Sequence, residues 1–241
     1  MRIAVVSDIH GNLDAFESVL RDIDDIGIDR IYCLGDNIGY GPEPMGVIET
    51  LQRRNILSVI GNHELALTHR RYLSLFNPTA RESLLKTAEM MDDAGLRYAA
   101  ELPASMVKAG ARFVHGFPPD SPLIYLFQVS EKQMKKSLEA LEESMCFVGH
   151  THDLDMVSFD GTRIQWDRLT QGPRPLSPDL RYIVNVGSVG QPRDGDNRAK
   201  YALWDTENHR LEIRFVEYDI ASAVRKILKA GLPRAHARRL R

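Results

Sequence analysis

Residues 2–12 read RIAVVSDIHGN and combine a short apolar run with a polar ending. The apolar and β-branched run from Ile3 to Val6 predicts a buried strand. Because residues two apart in an extended backbone point to the same side, Asp8 and His10 are expected to meet just past the strand end. A carboxylate and an imidazole at such a strand end form a candidate metal-ligand pair.

The composition is typical of a soluble globular protein. The chain has 241 residues, of which 43% are hydrophobic and 27% charged, and its formal net charge is −2. This near-neutral balance disfavours a nucleic-acid partner. Two cysteines, Cys33 and Cys146, are too few for a disulfide framework and are expected to be small core residues. No signal peptide or apolar run of about 18 residues is found, so we expect a cytoplasmic protein without a membrane partner.

The first third of the chain alternates between strands and helices. Strands are predicted over 2–7, 30–34 and 56–60. Apolar residues at helical spacing predict helices over 13–26 and 45–54. This βαβ pattern indicates a sheet that begins with parallel strands.

The rest of the chain divides into a helical segment and a hairpin-rich part. Residues 65–100 are predicted to form two helices, separated at Pro78-Thr79, as an insertion that caps one end of the sheet. Further strands, hairpins and helices are expected over 106–114, 130–144, 145–148, 156–166, 182–186, 201–216 and 220–230, with loops at 117–129 and 168–179. The stretch from Arg225 to Arg241 has seven Lys or Arg and no acid, and we expect a solvated helix end with a frayed tail.

Side chains of the types that can bind metals follow five of the predicted strands. They are Asp8 and His10, Asp36, Asn62 and His63, His115, and His150 and His152. Five of the eight histidines therefore follow an apolar strand directly, which random placement would rarely produce. His209 and His236 lie outside this pattern, in a turn and in the tail, and receive no role.

The donor set indicates the kind of metal. All donors are oxygen or nitrogen, which suits Mn, Fe, Zn or Co better than a structural thiolate site. Because the donors outnumber what one ion needs, two ions about 3.5–4 Å apart with a shared carboxylate are expected. Two divalent ions bring about four positive charges and two aspartates offset half of them, so the site favours an anionic substrate such as a phosphate ester.

The motifs resemble, in order, those of the calcineurin-like metallophosphoesterases. They are Asp8-x-His10, Gly35-Asp36, Gly61-Asn62-His63-Glu64, His115 and Gly149-His150-Thr151-His152. Residues 185–193, NVGSVGQPR, also resemble a block of the small prokaryotic phosphodiesterase branch. The resemblance implies an α/β (α+β) fold, a four-layer α/β/β/α sandwich of two mixed sheets with flanking helices. It also implies one metallophosphoesterase domain over 1–241, with the helical insertion at about 65–100.

The resemblance further implies roles for individual residues. One metal is assigned to Asp8, His10, Asp36 and His152, and the other to Asp36, Asn62, His115 and His150. Asp36 bridges the two ions, and Asn62 and His63 contact the phosphate. The implied reaction is in-line attack of a metal-bridging hydroxide on a phosphate ester, with Asp36 and His63 as catalytic residues and His63 protonating the leaving group.

One departure from related enzymes bears on the substrate. Related protein phosphatases and diadenosine tetraphosphatases carry an arginine soon after the second motif, whereas residues 37–42 here read NIGYGP. The missing cation disfavours a dianionic phosphomonoester, so phosphodiesters are the favoured substrates. Arg193 is a candidate replacement that binds substrate, with a salt bridge to Asp194 as the alternative.

Other activities remain open at this stage. They are a phosphomonoesterase of the protein-phosphatase type, a diadenosine tetraphosphate hydrolase, a non-catalytic scaffold on the same fold and a nuclease, the last with little support from the charge balance. The expected partner is a small-molecule phosphate ester, and a homo-oligomer stays open. Substrate choice is expected to depend on 65–100, 117–129 and 167–180, because loops on a scaffold carry specificity.

Overall fold

Twelve strands and eight α-helices form the computed structural model, which describes residues 1–241. The strands are β1 (Arg2–Val6), β2 (Arg30–Cys33), β3 (Leu57–Ser58), β4 (Ser105–Lys108), β5 (Ala111–Val114), β6 (Met145–Val148), β7 (Leu154–Phe159), β8 (Ile164–Arg168), β9 (Gly172–Pro175), β10 (Arg181–Val186), β11 (Ala199–Asp205) and β12 (Arg210–Val216). The helices are α1 (Leu13–Ile26), α2 (Pro44–Arg53), α3 (Asn62–Thr68), α4 (Pro78–Glu89), α5 (Asp93–Glu101), α6 (Glu131–Ala140), α7 (Ile220–Lys229) and α8 (Arg234–Arg239). Short 3₁₀ helices cover Arg70–Leu75 and Leu126–Gln128. None of the helices combines the length and the apolar character that crossing a bilayer requires.

The strands form two six-stranded mixed sheets. Their spatial orders are β3-β2-β1-β11-β12-β9 and β4-β5-β6-β10-β7-β8. The strands β1, β2 and β3 run parallel, as the sequence predicted, and β5, β6 and β10 form a second parallel group. The remaining pairs are antiparallel.

The two faces of β1 show how the layers stack. Ile3 and Val5 belong to an apolar cluster that includes Phe113 and Phe147 of the other sheet, so this cluster lies between the sheets. The alternate residues of β1 pack instead with apolar side chains of α1. On the far side, Met134 of α6 packs with side chains of the second sheet. The order helix, sheet, sheet, helix confirms the predicted four-layer sandwich.

The helix α1 shows why the early boundaries were predictable. The Asn12 side chain accepts a hydrogen bond from the Ala15 N–H and caps the first turn. Gly27 ends the helix in the left-handed conformation, at a φ of 73°, which glycine adopts at little cost. Both signals are local, so the expected span of 13–26 agrees with the observed helix.

The prediction of two helices over 65–100 is wrong in the number of helices and in where they begin and end. Three α-helices and one 3₁₀ helix cover this part of the chain, and the first begins earlier, at Asn62. Pro78 does not interrupt a helix but starts α4, where Asn77 caps the first turn. A proline is compatible with this position because the N–H that it lacks has no helical partner there. The assignment of residues 1–241 to a single domain stays a prediction.

Residues 168–179 were expected to form a loop, but part of this segment is a strand. Gly172 to Pro175 form β9, which pairs antiparallel with β12 at the edge of the first sheet. An edge strand accommodates prolines because one of its sides needs no ladder hydrogen bonds.

The expected frayed C-terminal tail is also wrong. Residues 234–239 form α8, and Ala237 and Leu240 pack into an apolar cluster with Val224 and Ile227 of α7. Lys86 of α4 also donates a hydrogen bond to the carbonyl of Gly231, just before this helix. The basic C-terminal end is therefore anchored on the body of the protein.

Candidate metal centre

The seven predicted ligands lie together in the interior, at the ends of strands from both sheets. Asp8 and His10 follow β1, Asp36 follows β2, Asn62 begins α3, His115 follows β5, and His150 and His152 follow β6. All seven are buried, with at most 8% of any of them exposed. Because the parallel strands end at the same edge, residues that are distant in sequence become neighbours.

The backbone at these positions is unusual. Asp8, His10, Asp36, His150 and His152 all have positive φ, between 50° and 69°. This region is costly for side chains other than glycine and is typical of functional sites. Since β1 ends at Val6, the side chains of Asp8 and His10 meet because the loop turns, and not through the strand alternation that we expected.

Asp8, His10 and His152 form the first group of donors. The Oδ1 of Asp8 lies 3.2 Å from His152 Nε2 and 3.7 Å from His10 Nε2, and the two nitrogens are 3.1 Å apart. The other carboxylate oxygen of Asp8 accepts hydrogen bonds from the Ser7 hydroxyl and from the His150 N–H. The Oδ1 atom is buried and has no hydrogen-bond donor, as expected for an atom that faces a cation.

Asp36, Asn62, His115 and His150 form the second group. The Nε2 of His115 lies 3.4 Å from Asp36 Oδ2, 3.0 Å from Asn62 Oδ1 and 3.2 Å from His150 Nδ1. The same Asp36 Oδ2 is 3.7 Å from His10 Nε2 in the first group. Asp36 therefore lies between the two groups, where a shared ligand would be.

Backbone carbonyls fix the orientation of the four imidazoles. In each ring, the outward nitrogen, which is the one that faces away from the centre, pairs with a backbone carbonyl oxygen. The pairs are His10 with Ile38 at 3.0 Å, His115 with Leu34 at 2.9 Å, His150 with Leu123 at 3.3 Å and His152 with Gln191 at 2.6 Å. A carbonyl oxygen can only accept, so in a neutral ring the proton lies on the outward nitrogen. The inward nitrogen then presents a lone pair, which is the arrangement that metal-ligating histidines adopt.

The charges of the cluster also fit divalent cations. Burial opposes ionisation of Asp8 and Asp36, yet the surrounding histidines hold the pKa of both carboxyls well below the usual value. Burial lowers the pKa of His150 to about 3 and of His152 to about 4. Burial opposes protonation of His115 too, but the neighbouring Asp36 raises its pKa to about 9. Two carboxylates together with imidazoles that burial keeps neutral, as at His150 and His152, are suitable donors for such ions.

His63 lies at the start of α3, beside both groups. Its backbone N–H donates to Asp36 Oδ1 at 2.9 Å, and its Nε2 is 3.9 Å from Asp36 Oδ2. The ring packs edge-on against Tyr40 and Phe76, at centroid distances of 4.5 and 4.9 Å. Burial holds the pKa of His63 well below its usual value, so the ring is neutral near pH 7 and keeps one N–H to donate.

Glu64 supports the site, although the sequence analysis gave it no role. Its buried carboxylate accepts hydrogen bonds from the backbone N–H groups of Asp36 at 3.0 Å, Asn37 at 2.7 Å and Gly61 at 3.0 Å. Burial and then the nearby Asp36 raise the pKa of Glu64 to about 7. The sequence did contain a signal, because Gly61 and Glu64 have the spacing of a helix capping box.

The 185–193 segment joins the loops that carry the ligands. The Asn185 amide donates to the Gly149 carbonyl at 2.9 Å and to the Thr151 hydroxyl at 2.7 Å. The Ser188 hydroxyl donates to the Asp8 carbonyl at 2.8 Å. Each of these contacts is buried, so the segment positions the first and last ligand motifs relative to each other.

Arg193 lies at the rim of the site. Its Nη2 donates to the Gln191 side chain at 3.3 Å. The alternative salt bridge to Asp194 is wrong, because Asp194 pairs with Lys200 at 2.7 Å instead. The sequence could not predict this choice, since Lys200 reaches Asp194 only through the fold of the loop between them.

Two tyrosines, Tyr40 and Tyr125, form walls of the site. The Tyr40 ring lies 4.4 Å from the His10 ring, and Tyr125 stacks on His150 at a centroid distance of 3.7 Å. Tyr125 also stacks on Phe127, at 5.1 Å. These contacts hold the ligand rings in place and narrow the approach to them.

The fold and the centre define the class of this protein. The sequence model of the calcineurin-like phosphoesterase superfamily domain matches residues 1–209. The chain belongs to this superfamily of hydrolases, as its motifs indicated.

One relative in sequence and two solved structures extend the likeness over the whole chain. An uncharacterized protein of Methanocaldococcus jannaschii is 37% identical over 236 residues, which cover 96% of this chain and 93% of that protein. The crystal structure of a metallophosphoesterase from Sphaerobacter thermophilus has a TM-score of 0.84 at 37% identity, over 100% of this chain and 98% of that one. A hypothetical protein from Pyrococcus horikoshii shares the fold, with a TM-score of 0.79 at 22% identity over 99% and 97% of the two chains.

Proposed function

We propose that this protein is a dinuclear metal-dependent phosphoesterase that hydrolyses phosphate esters, with phosphodiesters as the favoured substrates. The observation that carries the proposal is that seven buried nitrogen and oxygen donors form two groups with Asp36 between them. The first ion is assigned to Asp8, His10, Asp36 and His152, and the second to Asp36, Asn62, His115 and His150.

The bound ions would supply a nucleophile at neutral pH and offset negative charge on the phosphoryl oxygens. Residues of the chain then determine how the ester is held. The Oδ1 of Asn62 faces His115, so the NH₂ of the same amide is available to donate to a phosphoryl oxygen. His63 is neutral and fixed by its aromatic neighbours, so its remaining N–H donates a hydrogen bond to the leaving oxygen as negative charge develops there, and the proton that this oxygen finally takes up comes from solvent.

The surroundings of His63 support the preference for diesters. A cavity of about 120 Å³ beside Asn62 is lined largely by apolar side chains, including Leu75, Phe76 and Leu123. No cation lines this cavity, so it suits an uncharged ester group better than the free oxygens of a phosphomonoester. Mn, Fe, Zn and Co all remain candidate metals, because the donor set does not distinguish them.

Metal analysis combined with a substrate panel tests this function. The purified protein would be loaded with Mn²⁺, dialysed and analysed for metal, then assayed on an aryl phosphodiester, an aryl phosphomonoester, a cyclic nucleotide and diadenosine tetraphosphate. We expect about two ions per chain and the highest kcat/KM on the aryl diester. Two bound ions without turnover of any substrate would instead indicate a scaffold, and faster monoester turnover would overturn the preference for diesters.

A further inference from the structure

A second cavity, of about 400 Å³, lies against the candidate metal centre. Tyr40, Tyr125, Gln191, Arg193, His236 and Arg239 are among the residues that line it. Three of these also contact predicted ligands: the two tyrosine rings pack on His10 and His150, and the Gln191 carbonyl pairs with His152. A substrate bound at the metals is therefore directly beside this cavity.

The cavity is positively charged and has no carboxylate in its lining. Arg193 comes from the 185–193 segment and Arg239 from α8, and neither forms an ion pair with any Asp or Glu. Asp194, the acid next to Arg193, is already paired with Lys200. Partial burial and then Arg193 lower the pKa of Arg239, as expected for two like charges that lie near each other.

His236 adds a buried imidazole to the two guanidinium groups. It is only 6% exposed, and its Nε2 is buried without a hydrogen-bond partner. The ring packs on Tyr40 at a centroid distance of 4.5 Å, which fixes its orientation in the cavity. An unpaired buried nitrogen costs free energy, and a phosphate group that forms a hydrogen bond with it would remove that cost.

The cations are held by an anchored helix. The packing of Ala237 and Leu240 against α7 fixes α8, and α7 is in turn fixed by Lys226, which pairs with Asp14 at 2.9 Å and with Glu43 at 2.8 Å. Arg239 thus reaches the cavity from a helix whose position is fixed by packing. Such preorganisation lowers the entropy cost of binding an anion.

We propose that this cavity binds a second phosphate group of the substrate, separate from the phosphate that is cleaved, through Arg193, Arg239 and His236. This inference rests on the proposed function and narrows its substrate class to phosphate esters that carry two phosphate groups. A phosphate group suits the site because two guanidinium groups offer more donors than one carboxylate can accept, and because a phosphate can also form a hydrogen bond with the imidazole.

A binding experiment with diphosphonates tests the proposal without relying on turnover. Isothermal titration of the Mn²⁺-loaded protein would compare alkane-α,ω-diphosphonates of one to five methylene groups with alkylphosphonates of equal length. Phosphonoalkanoates, in which a carboxylate replaces the second phosphonate, form a third arm. We expect at least one diphosphonate to bind about tenfold more tightly than its monophosphonate match and more tightly than its carboxylate match.

Three variants test which residues cause this gain in diphosphonate affinity. In Arg239→Gln and in Arg193→Gln, the ratio of diphosphonate to monophosphonate affinity should fall by about tenfold. Arg238→Gln is the matched control, because Arg238 lies on the same helix but lines a different groove. Its ratio should equal that of the wild type. The metal content of each variant would confirm that the candidate centre is intact.

The outcomes separate this inference from the proposed function. No gain for any diphosphonate, an equal gain for the carboxylates, or a gain that survives in both Arg239→Gln and Arg193→Gln would overturn the second-phosphate site. A protein that hydrolyses simple diesters but shows no gain would keep its proposed function and lose only this site. An arginine-dependent gain in a protein without phosphoesterase activity would leave the site standing and refute the function.

Discussion

At the scale of single residues, Asp36 connects the two halves of the candidate centre. Its Oδ2 lies 3.4 Å from His115 Nε2 and 3.7 Å from His10 Nε2, while its Oδ1 accepts the His63 N–H. Asp8, in contrast, contacts imidazole nitrogens of the first group only, and it reaches the second group through the backbone N–H of His150 alone. The two aspartates should therefore differ in what their loss removes.

The first prediction compares Asp36→Asn with Asp8→Asn. Asp36→Asn should weaken both metal sites and leave well under one ion per chain after dialysis, since the shared charge is lost. Asp8→Asn should retain about one ion, because the second group stays complete. The molar ratio of metal to protein in each variant measures this difference. Equal metal content in the two variants would contradict a shared role for Asp36.

His63 permits a prediction about the leaving group. His63→Ala should keep both metals, while kcat falls by roughly 10²–10³-fold on an alkyl ester. The loss should be much smaller with a p-nitrophenyl leaving group, because its ring already stabilises the negative charge on the leaving oxygen. The dependence of kcat on the leaving-group pKa, compared between wild type and variant, gives the answer. An equal loss on both substrates would argue against a hydrogen bond from His63 to the leaving oxygen.

At the scale of secondary-structure elements, Glu64 joins the start of α3 to the loop after β2. The carboxylate accepts from four backbone N–H groups, three of them in the Asp36 loop. Glu64→Ala would leave these buried donors unpaired, and we expect the free energy of unfolding to fall by about 2–4 kcal/mol. Glu64→Gln keeps one acceptor oxygen and should lose less. Urea unfolding of the metal-free variants measures both, and equal losses would contradict this role.

The packing of α8 gives a second prediction at this scale. Leu240 is 3% exposed, whereas Leu228 of α7 is 46% exposed. Leu240→Ala should lower the free energy of unfolding by about 2–3 kcal/mol, and Leu228→Ala by less than about 1 kcal/mol. Denaturant unfolding compares them directly. Equal, small losses would mean that α8 does not pack on the body of the protein.

At the scale of the whole molecule, the fold buries several imidazoles in a neutral form. Burial lowers the pKa of His150, His152 and His236 to between about 3 and 4. In the unfolded chain these histidines bind protons near pH 6.5, so acidification below this value favours unfolding. Glu64 opposes this trend, because its pKa is raised to about 7 and its contribution to stability grows as the pH falls.

The His236 contribution can be isolated by subtraction. Between pH 6.5 and about 4, the wild type should lose stability that His236→Gln does not lose, because the folded His236 resists protonation. The difference should be on the order of 1–2 kcal/mol between pH 6.5 and 4.5. Unfolding free energies of the metal-free proteins, measured across this range, test it. Parallel pH profiles for the two proteins would show that His236 titrates normally in the folded state.

Local signals in the sequence predicted the candidate ligands and the outer frame of this protein. Each ligand motif follows an apolar strand, and parallel strands bring their ends together, so Asp8 and His152 were expected at one site although 144 positions separate them. The apolar spacing over 13–26 and the glycine at position 27 are local signals too, which is why α1 was predicted at its observed bounds. The resemblance to the family rests on the same motifs, and the superfamily match and the layer order confirm it.

Only the tertiary structure decided which groups surround the ligands. Arg193 is free for a ligand because Lys200 takes Asp194, and no spacing rule predicts that pairing. His236 and Arg239 belong to a basic end that would be solvated by itself, yet Ala237 and Leu240 bury against α7 and place both residues beside Tyr40. The physical reason is that strand ends and helix caps depend on neighbouring residues, whereas this cavity depends on packing between elements that are far apart in the chain.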